Sequence, residues 1–221
     1  MTMDLQGSRV LVIGASGGIG GATASGFAAA GATLLAPSRG ELDITDDASV
    51  ERYLAAADPF DHVVIAAAQT RTGPSATLGL PDAQAAMNSK FFGAYRVARA
   101  VPVRDGGSIT LLSGFLSHRP SASSVLQGAI NAALEALGRG LALERAPVRV
   151  NTVSPGLVDT RLHDGLGEDR KRSVFEAAAA RLPARRTGRP EDIAQAILFV
   201  ATNPYATGTT VTVDGGGTIA G

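Results

Sequence analysis

The sequence predicts a doubly wound α/β domain on a mostly parallel sheet, and three observations carry that expectation. Short β-type runs alternate with helical patterns along the chain, an order that implies parallel pairing through right-handed crossovers. Several of the runs are apolar throughout, as strands covered on both faces are. The 221 residues suit one α/β domain, with no internal repeat and no linker to divide them.

In chain order, the strands are expected at Arg9 to Ile13, Thr33 to Ala36, His62 to Ala67, Ser108 to Leu112, Val148 to Val153 and Thr209 to Val213. Helical patterns lie at Ile19 to Ala30, Ala48 to Ala56, Pro81 to Val101, Ser123 to Arg145 and Pro190 to Thr202. The last opens on Pro190, Glu191 and Asp192, a favourable first turn because proline is preset there and carboxylates suit the positive end of the helix dipole. The stretch Asp164 to Ala180, charged and then alanine-rich, is expected to form a mobile helical flap over about 160–185.

Composition removes several classes of function. With no cysteine, disulfides, thiolate catalysis and cysteine-ligated zinc are excluded, and a reducing cytosol fits. Twenty basic residues balance twenty acidic ones, so no overall field draws the protein to nucleic acid or an anionic membrane. No apolar stretch approaches the roughly 18 residues of a spanning helix, and the first apolar run leads straight into glycines rather than a cleavage site. The three histidines, His62, His118 and His163, form no ligand cluster, so no metal site is indicated. His62 reads as structural, and His163 lies in the loop after Thr160, where contact with a substrate is one of two open readings beside a solvated loop residue.

Val10 to Ile13 run directly into Gly14-Ala15-Ser16-Gly17-Gly18-Ile19-Gly20. Between a first strand and a first helix, such glycines permit a tight turn and let the backbone approach a pyrophosphate, whose charge is drawn to the amides and dipole at the helix start. A phosphate-loop NTPase is disfavoured because no Lys-Ser/Thr pair follows. After the second strand, Ser38-Arg39 stands where an acid would hold a ribose 2′-hydroxyl, so a guanidinium is available for a 2′-phosphate and NADP(H) is the expected cofactor. Asp43 is an alternative contact, capping the adenine end, and Ile44 beside it is counted with the expected cofactor-binding residues. Only three residues separate Arg39 from Asp43, so no helix fits between them and that crossover must be abbreviated or lost.

With these motifs the chain resembles the short-chain dehydrogenase/reductase family over nearly its whole length. The glycine turn Gly14 to Gly20 resembles the family's Gly-xxx-Gly-x-Gly segment, with Ile13 where threonine usually stands. Arg149 to Thr160 resembles its sixth strand and following loop, and Thr187 to Ala194 and Thr207 to Gly216 resemble its C-terminal signatures. The resemblance implies a Rossmann-like sheet of seven strands, the seventh near Thr209 to Val213, with helices on both faces. It also implies a nicotinamide end lined by Pro155, Gly156, Val158 and Thr160, with Ala66 and Ala67 beside the cofactor and the long helices pairing copies into a homodimer or homotetramer.

The family's catalytic positions are another matter. Its tyrosine and lysine, four residues apart on one helix face, cooperate because the lysine lowers the tyrosine pKa for proton transfer. Counting back from Ala132 to Leu137 places that pair at Gln127 and Asn131. The family's serine falls on Gly114, with Ser113 adjacent, and its helix asparagine falls on Lys90, with Asn88 two residues early. A lysine thus stands where asparagine is expected and an asparagine where lysine is expected, which implies an exchange in which Lys90 brings its charge to the site from the neighbouring helix. Lys90, Ser113 and His118 are the candidate proton donors, while Gln127 and Asn131 either present amides to a substrate or bind each other.

The expected function is an NADP(H)-dependent oxidoreductase acting on a small carbonyl or alcohol compound through a modified proton-transfer site. A non-redox dehydratase, isomerase or cyclase on the same fold, and a catalytically silent NADP-binding protein, remain open alternatives, because function lives in the site rather than the fold.

Overall fold

Consecutive strand residues point to opposite faces, so an apolar strand needs cover on both sides. In the first strand, β1 (Arg9–Ile13), Leu11 and Ile13 face one core while Val10 and Val12 face the other. The computed structural model describes residues 4–160, 165 and 167–220; the expected contact at His163 lies outside the described residues.

The remaining strands are β2 (Thr33–Leu35), β3 (Phe60–Ile65), β4 (Val103–Leu112), β5 (Arg149–Pro155) and β6 (Thr210–Val213). They form one six-stranded sheet in the order β2-β1-β3-β4-β5-β6, parallel at every pairing. All six strand runs read from the sequence are present, and the strand that the resemblance places near Thr209 to Val213 is β6, but the sheet has six strands among the described residues rather than the expected seven. The physical reason is the short segment from Arg39 to Asp43: the chain turns there and passes directly into α2 (Asp47–Ala55), which returns it to β3 beside β1.

Helices α1 (Gly18–Ala29) and α7 (Pro190–Thr202) cover one face, packing Phe27, Ile193, Ile197 and Val200 onto Val10, Val12 and Val64. On the other face, α2 and α5 (Val125–Glu144) bring Val50, Leu54, Ile130 and Leu134 against Leu11, Val63, Ile109 and Leu111. The single helix expected at Pro81 to Val101 is divided into α3 (Leu80–Met87), a π-helical turn at Asn88–Phe92 and α4 (Gly93–Ala100). A π turn carries an extra residue per turn and re-aims its side chains, a device concentrated at functional sites. Lys90 lies in its middle. Of the expected flap, residues 161–164 and 166 lie outside the described residues, and the rest contains α6 (Glu168–Arg181), with no fully buried residue.

The chain leaves β1 toward β2 on one side and returns to β3 on the other, so the strand order reverses between β1 and β3. In open α/β sheets the crevice beyond the strand ends at such a switch point is where ligands bind.

Candidate active site

At that switch point lies a cleft of about 230 Å³, lined by Gly14, Ser16 and Gly17 after β1, by Arg39, Asp43 and Ile44 after β2, and by Ala66, Ala67 and Gln69 after β3. The glycine turn is built by close approach. A Cβ on Gly14, whose φ is +94°, would lie 2.6 Å from the Ala67 nitrogen, and one on Gly20 would lie 2.1 Å from the Gly14 oxygen. Gly17 is the N-cap of α1, and no side chain caps that helix or places an acid in its first turn. An uncapped helix start facing a cleft suits an anionic ligand, so the residues present fit a dinucleotide's pyrophosphate. Ile19 packs partly buried against the α1–α7 core.

Gly18 has a different neighbour: a Cβ there would lie 2.8 Å from Thr160 Cγ2. The glycine turn and the loop after β5 therefore meet at this residue. Pro155 ends β5, Gly156 N–H donates to the Val213 carbonyl at 3.0 Å, and Val158 is buried and bridges Gly188.

At the expected 2′-phosphate end, the chain supplies its own acceptors. Arg39 Nη1 donates to Gln69 Oε1 at 2.7 Å and Arg39 Nε to Asp43 Oδ2 at 3.2 Å. Ser38 N–H and Oγ–H both donate to Glu41 Oε2, at 2.8 and 2.7 Å. The backbone and hydroxyl donors of Ser38 hold the Glu41 carboxyl below its usual pKa, and Thr45, ahead of Arg39, does the same for Asp43. Glu41 and Gln69 were not legible as site residues, although Glu41 lies three residues from Ser38.

The candidate catalytic residues gather where β4 ends against α5. Lys90 Nζ donates to Asn131 Oδ1 at 2.6 Å and to the Ser113 carbonyl at 2.8 Å. Burial pulls the Lys90 pKa down to about 8, opposed by the negative charge of Glu135. Gly114, at the expected serine position, is pressed onto the same group: its Cβ would lie 2.8 Å from Asn131 Nδ2. Asn88 points elsewhere, with Nδ2 donating to the Thr45 carbonyl at 3.4 Å. Gln127 Oε1 is buried without a hydrogen-bond partner while Asn131 Oδ1 accepts from Lys90, which removes an amide pair through either oxygen.

Ser113 and His118 converge on a residue that sequence reading missed. Glu135, 4% exposed, accepts from Ser113 Oγ at 3.0 Å and Ser117 Oγ at 2.6 Å through Oε1, and its Oε2 lies 3.2 Å from His118 Nε2. Its signal is its spacing, four residues beyond Asn131 and eight beyond Gln127 on one helix face. His62, in contrast, is structural: its Nδ1 lies 2.9 Å from Ser108 Oγ, and burial lowers its pKa to about 4. Among the described residues no cluster of three metal-ligating side chains occurs, and no helix is long and apolar enough to cross a membrane.

Comparison with known proteins agrees with this architecture. A family model described as "Enoyl-(Acyl carrier protein) reductase" matches residues 37–218. The 2,3-dihydro-2,3-dihydroxybenzoate dehydrogenase of Escherichia coli (strain K12) is 33% identical, across 98% of this chain and 99% of its own. A 3-oxoacyl-(acyl-carrier-protein) reductase of Thermotoga maritima is 30% identical across 97% and 99%. Among solved structures, a small-chain dehydrogenase in complex with NADPH superimposes with a TM-score of 0.91 at 36% identity, covering 96% of this chain and 99% of that one. With a matched family model spanning most of the chain and relatives aligned end to end, the chain belongs to the short-chain dehydrogenase/reductase family.

Proposed function

We propose that the protein is an NADPH-dependent reductase, or the corresponding dehydrogenase, of a small carbonyl or alcohol compound, with Lys90 acting in place of the family's Tyr-xxx-Lys pair. The observation that carries this reading is the 2.6 Å bond from Lys90 Nζ to Asn131 Oδ1, which joins the two positions whose residue types are exchanged. Bound NADPH supplies the hydride. The Gly14 to Gly20 turn holds the pyrophosphate, Ser38 and Arg39 hold the 2′-phosphate, and Pro155, Gly156, Val158 and Thr160 border the nicotinamide. The NADPH complex of the similar small-chain dehydrogenase supports this cofactor.

Asn131 and the Ser113 carbonyl fix the Lys90 ammonium, which polarises the substrate carbonyl and gives up a proton as the alcohol forms. An ammonium with a pKa of about 8 is well matched to proton transfer near neutral pH. Ser113, with its hydroxyl committed to Glu135, serves to hold the lysine rather than to donate. Gln127, with a buried oxygen still available to accept, contacts the substrate. The single domain carries α6 as a flap, tied to the nicotinamide-end loop by Lys171 Nζ and Asp159 Oδ1 at 2.9 Å.

Exposed Phe92, Tyr95 and Leu143 on α4, its preceding turn and α5 support a homodimer or homotetramer, and the absence of cysteine supports a cytoplasmic setting. The free Gln127 oxygen also favours a second reading, a dehydratase, isomerase or cyclase, since an amide binds and polarises without transferring a proton. The test is NADPH consumption against a carbonyl panel in the parent and in Lys90→Ala: oxidation that depends on carbonyl and on Lys90 supports the reductase, and product formation without NADPH consumption supports the second reading.

A further inference from the structure

Glu135 is the one acidic residue among the described residues that is buried, and nothing in the hydride-transfer scheme uses it. A carboxylate out of water is retained only against a desolvation cost, so its partners show what it serves. Its Oε1 receives two hydroxyl donors, Ser113 and Ser117, and its Oε2 faces His118, whose side chain is 58% exposed. All three come from the turn that connects β4 to α5. Two glycines allow that turn to lie on the helix: Cβ atoms on Gly114 and Gly128 would come within 2.8 Å of Asn131 Nδ2 and of the Leu116 carbonyl oxygen.

Ser113 is the shared member. Its hydroxyl is held by Glu135 while its carbonyl accepts from Lys90 Nζ. Asn131, one helical turn before Glu135, accepts from the same ammonium. The titratable groups brought together here are Lys90 from the π turn, Glu135 from α5 and His118 from the connecting turn.

We propose that Glu135 is the positioning residue for the Lys90 ammonium: it holds Ser113, whose carbonyl accepts from Lys90 Nζ, and adds a buried negative charge to the same hydrogen-bonded cluster. The proposal rests on Lys90 as the group that meets substrate. A structural anchor alone needs donors and acceptors but not a charge, which separates the two roles.

The chain has two lysines, Lys90 and Lys171, so ¹³Cε-lysine NMR of the cofactor-free protein gives two titrating signals, assigned with Lys171→Arg. In Glu135→Gln the Lys90 midpoint falls by about one pH unit, because the favouring opposite charge is gone. NADPH affinity stays within about twofold, and the alkaline limb of single-turnover hydride transfer moves with the midpoint. Glu135→Asp keeps the charge and, if Glu135→Gln does not fold, carries the test: the midpoint stays at the parental value while turnover drops about tenfold as the shorter side chain draws Ser113 away. An unmoved midpoint in Glu135→Gln, parental turnover in Glu135→Asp, or NADPH affinity lost in step with turnover would overturn the proposal. Parental turnover in Lys90→Ala sinks the reductase scheme instead; the NMR shift, read without cofactor or substrate, reports on Glu135 separately.

Discussion

Lys90 Nζ and Asn131 Oδ1 lie 2.6 Å apart, so the π-helical turn at Asn88–Phe92 and helix α5 are joined by a single charged hydrogen bond inside the candidate active site. Charged hydrogen bonds of this length are roughly twice as strong as neutral ones. The bond converts an exchange of residue types between two helices into one local arrangement, and the predictions below test the parts around it.

The 2′-phosphate end should be selective. Losing a charged, bidentate contact costs about 1.5–3 kcal/mol, so Arg39→Ala should weaken NADPH by roughly tenfold or more and leave NADH within about twofold. Because both Ser38 donors already face the Glu41 carboxylate, Glu41→Gln should tighten NADPH severalfold without affecting NADH. Fluorescence titrations with both cofactors check this; equal NADH and NADPH affinity in the parent would reject the assignment.

The glycine turn is best tested at Gly17. Its φ of −82° is open to any residue, and an added Cβ would meet only the Gly14 oxygen at 3.4 Å, an ordinary contact. Gly17→Ala should therefore fold, less stable by at most about 1 kcal/mol because alanine is a poorer N-cap than glycine, yet lose roughly tenfold or more in NADPH affinity, since Gly17 lines the cleft where the backbone meets the pyrophosphate. Gly18→Val is less clean, because its Cβ also presses on Thr160. A Gly17→Ala protein that binds NADPH like the parent shows that the turn is only architectural.

Buried His62 makes the fold acid-sensitive. Its folded pKa of about 4 lies below the unfolded value near 6.5, so between those pH values the unfolded chain takes up the proton first. Stability is then lost as pH falls through that window, by at most about 3 kcal/mol. His62→Gln lowers stability overall but should flatten this slope, measured as the urea midpoint against pH. An unchanged slope would assign the acid sensitivity elsewhere.

Much of this was legible in the sequence. Alternation and apolar runs located all six strands, and the three residues between Arg39 and Asp43 marked where the topology is shortened, even though the family likeness led to an expected count of seven. The family resemblance, by placing Lys90 at the asparagine position and Asn131 at the lysine position, paired two side chains that lie 2.6 Å apart. The π turn was not legible, because a local widening of a helix leaves the apolar pattern of Pro81 to Val101 intact. Glu135 was missed for a related reason: in an alanine- and leucine-rich helix a glutamate reads as solvated, and only the tertiary placement of Ser113, Ser117 and His118 makes it buried. Glu41 escaped notice because its partners are donors in its own loop, and a charge in a polar turn carries no distinguishing pattern.

The most direct test of the account is single-turnover hydride transfer from NADPH to a carbonyl substrate, measured against pH in the parent and in Lys90→Ala. With the ammonium as proton donor, the parental rate should be flat at low pH and fall about tenfold per unit above a pH of about 8, where Lys90 loses its proton. Lys90→Ala should bind NADPH within about twofold of the parent and lose roughly two or more orders of magnitude in rate, with no alkaline limb near that value. A Lys90→Ala protein that transfers hydride at the parental rate with the parental pH profile would contradict the account.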